Sequence, residues 1–428
     1  MLRAAETSAA LGAYREAMST LEQVRAQAVG VDLARLLSLR AELLMASADA
    51  GAVDAYREAL ALATDPAGRS RLRTGLARAA TFAGDLDTAA IALDGLVTDG
   101  SPQDTELLLA RGNLAFFRSD LEAADSAASE ARRRVTLGRP GEWQTFELIA
   151  LQGFVAHNRG EWFQRLRMEL RSGASRPALA ARIFDSHLCV AEFLLYGPTP
   201  YPEVLELAAE LRDTAERSGL LRAVAFATAL RGETALLMGD LELAETELHD
   251  AVDLHRDIGS TAGEAHSLQR LAEVMLAHGD RAEANRLLRR ALPLARFSSI
   301  AKHLIQRLYG TMIDAAEDPV AARAVVDHAE AALGVDDLCP FCAIMLAVPA
   351  ARACADVGDL ADARRHLLEA ERSAQVWEGT AWQASILEVK AHLAAAEGDQ
   401  PGALRLRRDA ADMFEDSGQP LDAARCRA

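Results

Sequence analysis

The chain has 428 residues, half of them apolar but only 5% aromatic, so its hydrophobic content is mostly Ala and Leu. That balance favours helices and argues against a β-sandwich or barrel. The 46 basic and 63 acidic residues leave a net charge of −17, which disfavours a general nucleic-acid backbone binder, because phosphate binding rests on clustered cations.

The N-terminal residues, Met1-Leu2-Arg3-Ala4-Ala5-Glu6, lack the apolar core of a signal peptide, and a short helix over 2–11 follows from the composition. Gly12 and Gly51 lie 39 residues apart, and Ala-Tyr-Arg-Glu-Ala follows each within a few positions. From there a turn recurs. Asp85 is followed four residues later by Ala89, Asp120 by Ala124, Asp240 by Ala244, Asp280 by Ala284, Asp318 by Ala322, Asp359 by Ala363 and Asp399 by Ala403. Gly precedes five of these Asp residues, at 84, 239, 279, 358 and 398, and the intervals from 240 to 399 are 40, 38, 41 and 40 residues. Gly160-Glu161 and Gly197-Pro198 occupy the expected turns between 120 and 240, where Ser172 to Pro177 also breaks a helix early.

Gly ends a helix in the left-handed conformation, Asp caps the next one, and a small Ala one turn inside lets two antiparallel helices approach. Leu93, Leu248, Leu288 and Leu367 follow one turn later and seal the pair. A single pair cannot bury its apolar face alone, so neighbours must stack. The expected fold is all-α: a right-handed superhelical solenoid of about ten antiparallel helix pairs with a period of about 40 residues. Residues 1–197 and 198–428 form its N-terminal and C-terminal repeats, with a joint at 197–202, Gly-Pro-Thr-Pro-Tyr-Pro.

The Gly-Asp-Leu-x-x-Ala pairs resemble tetratricopeptide-type repeats. The longer period is similar to that in the sensor region of large LuxR-type and maltose-activator-type (MalT-like) transcription regulators. The passage from Cys339 to Arg427 carries the resemblance furthest, through Cys339-Pro340-Phe341-Cys342, Gly358-Asp359-Leu360, Trp377-Glu378-Gly379-Thr380-Ala381-Trp382 and Gly418-Gln419-Pro420-Leu421-Asp422-Ala423-Ala424-Arg425. The resemblance implies an effector-sensing part of such a regulator. Such regulators also carry an ATPase module and a helix-turn-helix. Here no phosphate-cradling Gly-x-x-x-x-Gly-Lys-Ser/Thr occurs, and neither Lys302 nor Lys390 follows a Gly.

Candidate chemistry is sparse. Cys339 and Cys342 stand at a helix start and read as structural thiols or, alternatively, a redox pair. A zinc site would need further ligands; Cys354 lies too far along the same helix, and His328 and His366 are the histidines to consider. His249 and His255 read as surface histidines, and Arg132-Arg133-Arg134 as a cationic run complementing a helix end. Trp377 and Trp382 flank Gly379 and read as a packed helix joint or as aromatics of a ligand groove. No catalytic residue, cofactor or metal is assigned.

The expected function is a non-catalytic scaffold binding a protein, a peptide or a small effector, as the sensing region of a LuxR-like regulator. The alternatives are a free-standing adaptor and a thiol redox sensor. Five cysteines in a long chain fit a reducing cytoplasm. The longest notable uncharged stretch, residues 338–351, is too short for a membrane helix of about 20 residues. The end helices look cut, with the last lacking an antiparallel partner, so either self-association through the solenoid ends or docking to another domain or protein is expected.

Overall fold

The computed structural model describes residues 2–137 except 11, 12, 27, 48 and 102; residues 147, 148, 151, 152, 155, 192, 194 and 195; and residues 196–428 except 218, 299, 334–338, 340, 376 and 378. Gly12, Gly160-Glu161, Ser172 to Pro177 and Cys189 lie outside the described residues.

The described chain is an all-α solenoid. Its first helices are α1 (Leu2–Ala10), α2 (Tyr14–Arg25), α3 (Gly30–Ala46), α4 (Ala52–Leu62), α5 (Pro66–Ala83), α6 (Leu86–Leu93), α7 (Asp104–Phe117) and α8 (Leu121–Leu137). The second set begins with α9 (Tyr201–Arg217), α10 (Leu221–Met238), α11 (Leu241–Ile258), α12 (Thr261–Ala277), α13 (Arg281–Arg296) and α14 (Ala301–Asp314). It continues with α15 (Pro319–Ala332), α16 (Ala343–Asp356), α17 (Leu360–Ala374), α18 (Ala381–Ala396), α19 (Gln400–Asp416) and α20 (Pro420–Arg427). The only β feature among the described residues is an isolated bridge between Asp49 and Ser298.

One turn builds most of this. Asp240 accepts from the Leu243 N–H at 3.2 Å, Asp280 from Glu283 at 3.0 Å, and Asp399 from Gly402 at 2.9 Å. The same Asp residues donate their own N–H groups back to the carbonyls of Ala235, Met275 and Ala394, closing the preceding helix. Asp318 caps α15 without a preceding Gly and does so from an extended backbone. The Ala one turn into each second helix is buried at 89, 124, 244, 284, 322, 363 and 403. Leu93, Leu248 and Leu288 are buried as well, while Leu367 packs against the core half-buried.

Alternate helices then stack directly: α10, α12, α14, α16 and α18 form one wall. The first helices dock on the second set, where the Ala50 N–H donates to the Phe297 carbonyl at 2.8 Å and the Arg222 guanidinium lies 4.5 Å from the Tyr14 ring centre. No helix among the described residues is long and apolar enough to cross a membrane.

The expectation that the last helix lacks a partner is not met. α20 packs against α19 and also against α10. Gln419, just before it, donates from Nε2 to the Tyr201 hydroxyl at 2.6 Å across 218 residues of chain. The second set of repeats therefore winds until its end meets its beginning, which covers apolar surface that a straight array would expose.

This closure separates two otherwise alike turns. Gly239 and Gly279 both have left-handed backbones, φ +80° and +83°. An added Cβ at Gly239 would stand 3.1 Å from Pro420 Cγ, whereas at Gly279 nothing lies within 4 Å. Gly279→Ala should cost about 1–2 kcal/mol of backbone strain. Gly239→Ala should cost measurably more in urea unfolding, because it also pushes α20 away. Equal losses in the two variants would mean that α20 does not rest on this turn.

Candidate functional site

The stacked wall faces inward onto a cavity of about 1010 Å³, bounded by α10, α12, α14, α16 and α18 and closed by α19 and α20. Seven residues before each capping Asp stands a polar side chain: Arg78, Asn113, Glu233, Glu273, Thr311, Arg352 and His392. Two turns of helix separate this position from the cap, so it recurs at one height on each first helix. Glu273, Thr311, Arg352 and His392 line the cavity, and Arg78 lines a second cavity of about 1100 Å³ in the first set of helices.

The same wall holds a buried ionic cluster, whose Arg270, Glu273, Arg307 and Tyr196 reach the cavity surface. Arg270 of α12 is bidentate on Glu192, at 2.8 Å to each oxygen. It also donates to Glu233 at 3.1 Å, to Glu273 at 2.9 Å and to the Tyr196 hydroxyl at 3.2 Å. Arg307 of α14 donates to the same Glu192. Burial pushes the Glu233 carboxyl up, but His266, 3.1 Å away, with Arg270 and Arg307, brings it down to about 2. His266 also stands 3.9 Å from Glu192. Although Glu192, Glu233 and His266 could together ligate a metal, both carboxylates are already engaged by guanidinium groups.

A second network ties the wall to the last helix. Glu388 of α18 accepts from Arg352 at 3.1 Å and, through both oxygens, from Arg425 of α20 at 2.8 Å. Arg352 reaches Asp314 at 2.7 Å, and His392 reaches Asp356 at 2.7 Å.

Trp377 and Trp382 are both buried against Tyr196. Trp382 stacks on that ring with centres 4.6 Å apart, and Trp377 meets it edge-on at 6.2 Å. Only Trp382 of the two lines the cavity. Its indole N–H is buried and has no acceptor among the described residues. Arg407, half-buried on α19, lines the same cavity with no ion-pair partner among the described residues.

Cys339 and Cys342 are both buried. Neither His328 nor His366 joins them: His328 lies against Tyr309, and His366 sits 3.1 Å from Glu330. The histidine that does approach is His303 of α14, with Nδ1 3.6 Å from Cys342 Sγ. Cys354 lies farther along α16, where burial pushes its thiol up to about 11. Arg132, Arg133 and Arg134 are engaged by Gln152, Glu130 and Asp104 within the chain.

His255 corrects its reading as a surface residue. It is fully buried, packed where Gly263 of the next helix leaves room for the ring. Burial and the nearby Arg222 push its imidazole down to about 3, so it is neutral at physiological pH.

No protein-family model and no curated protein matches the sequence. Among solved structures, the chain is similar to a Rap protein complexed with competence and sporulation factor, at 13% identity and a TM-score of 0.43 over 76% of this chain and 96% of that one. It is also similar to yeast Tom70, at 12% identity and a TM-score of 0.38 over 99% of this chain and 93% of that one. At those scores neither likeness bears on function, and the fold rests on the helices and turns above.

Glu388 offers a direct test of the closing network. Burial alone would raise its carboxyl, but Arg352 and Arg425 bring it down to about 2. A depressed carboxylate stabilises the fold above its unfolded pKa, about 4.3, and that stabilisation is lost as pH falls through the folded value. Glu388→Gln should therefore lower stability by about 3 kcal/mol at pH 7. In parallel urea titrations, the gap to wild type should shrink between about pH 4 and pH 2. A gap independent of pH would show that the ion pairs do not carry the effect.

Proposed function

We propose that this chain is a non-catalytic scaffold whose inner cavity binds an extended peptide or a protein segment. The buried Trp382 N–H on the cavity wall carries the reading. Buried donors are ordinarily paired, and one left without an acceptor at a cavity surface is suited to a ligand carbonyl. Arg407 offers a charge for a carboxylate on the same ligand. A cavity of about 1010 Å³ is at the top of the small-ligand range of about 300–1,000 Å³, which favours a peptide over a small effector.

We further propose that this binding serves sensing in a LuxR-like regulator, on the strength of the residues from Cys339 to Arg427. The coding frame on either side of this segment tests that part. An ATPase frame upstream or a helix-turn-helix frame downstream supports it, and a stop codon on both sides supports a free-standing adaptor.

Binding is tested with peptides selected from a random phage-displayed library on the wild-type chain. Their affinity should fall at least tenfold, about 1.4 kcal/mol, in Trp382→Phe and in Arg407→Glu. Circular dichroism should show both variants folded. Selected peptides that bind the folded variants and wild type equally would place recognition outside this cavity.

A further inference from the structure

We propose that His303, Cys339 and Cys342 form a zinc site next to the ionic cluster, which Arg307 joins to it. Their ligand atoms all lie within 4.8 Å of one another, brought together from α14 and from the turn that opens α16. Zinc binds thiolate sulfur at about 2.3 Å and imidazole nitrogen at about 2.0–2.1 Å. In a tetrahedron those bonds put sulfur and nitrogen about 3.6 Å apart. Cys342 Sγ and His303 Nδ1 are 3.6 Å apart. The two groups are 39 residues apart, one repeat period, so they occupy related places in consecutive stacked repeats.

The surroundings suit a dication. Cys339 and Cys342 are 5% and 0% exposed, which keeps bulk water from the thiolates. Arg307, one turn beyond His303, points Nη2 at Cys342 Sγ from 3.7 Å and is itself held by Glu192. An N–H donor to a coordinating sulfur is a common support for thiolate ligands. Two thiolates cancel the charge of Zn²⁺, and Arg270 and Arg307 are matched by Glu192 and Glu233 in the neighbouring cluster, so the loaded site buries no net charge. Binding displaces one proton from each thiol, and both leave to solvent. Zinc prefers four ligands, and three protein ligands leave a position for water or another donor.

The experiment is titration of the reduced, chelator-treated full chain with Co²⁺, followed by competition with Zn²⁺. One equivalent of Co²⁺ should produce the near-ultraviolet thiolate-to-cobalt band and the strong visible bands of tetrahedral cobalt, and Zn²⁺ should abolish both. His303→Ala and Cys342→Ser should weaken Co²⁺ binding at least tenfold, whereas Cys354→Ser, which removes a buried thiol outside the group, should not. Wild type alone can overturn the proposal: a spectrum without thiolate bands at one equivalent means that no such site exists. Unchanged binding in a folded His303→Ala variant would also overturn it. So would a reduced chain that binds no metal but, on mild oxidation, loses two hydrogens in mass between Cys339 and Cys342, which would make the group a dithiol switch.

Discussion

The structure depends on a turn in which one Asp serves two helices. Its side chain takes up a free N–H of the helix that follows, and its own N–H closes the helix that precedes, as at Asp240, Asp280 and Asp399. Both orphaned helix ends are satisfied within a few residues. The short connection forces antiparallel packing, and the buried Ala one turn later sets how closely the pair meets. Because this unit repeats, first helices stack on first helices, and any residue at a fixed distance before the cap lands on the same inner line.

That inner line explains where the polar residues went. A solenoid wall made only of Ala and Leu would present an apolar cavity, but here it carries charges of both signs. Burying charge costs several kcal/mol per ion unless each is paired, and such pairs add little net stability over an apolar core. What the pairing does supply is register. Glu192 accepts from helices α12 and α14 together, and Glu388 accepts from α16 and α20 together. Each carboxylate thus fixes the relative position of two helices, and residues of both networks line the cavity.

Much of the fold was legible because its signals are local. Gly-Asp turns, the Ala four residues on and the sealing Leu can be counted along the chain, and they gave the helix pairs and their period. The candidate site was less legible because its contacts are not local. Arg270 and Glu192 are 78 residues apart, Arg307 and Glu192 are 115, and Tyr201 and Gln419 are 218. The polar residue seven before each cap was a readable signal, but its identity changes from Glu to Thr to Arg to His, so no single letter repeats. Trp377 and Trp382 were visible as a pair, while the Tyr196 ring that joins them stands nearly two hundred residues earlier. His255 misled because a histidine in an acidic helix looks solvated, as His249 is, and the space that Gly263 provides belongs to the neighbouring helix.

The central claim is that the second set of repeats is closed on itself, so that the cavity has a far wall. Gln419→Ala removes the hydrogen bond to Tyr201 without touching the helices of the main wall. Amide hydrogen exchange, read segment by segment in wild type and in this variant, measures the closure directly. The account predicts that protection falls together in α20, in α9 and in α10, because the Gln419–Tyr201 bond seats α20 where it also packs on α10. Faster exchange confined to α20, with α9 and α10 unchanged, would contradict it and leave the cavity without its far wall.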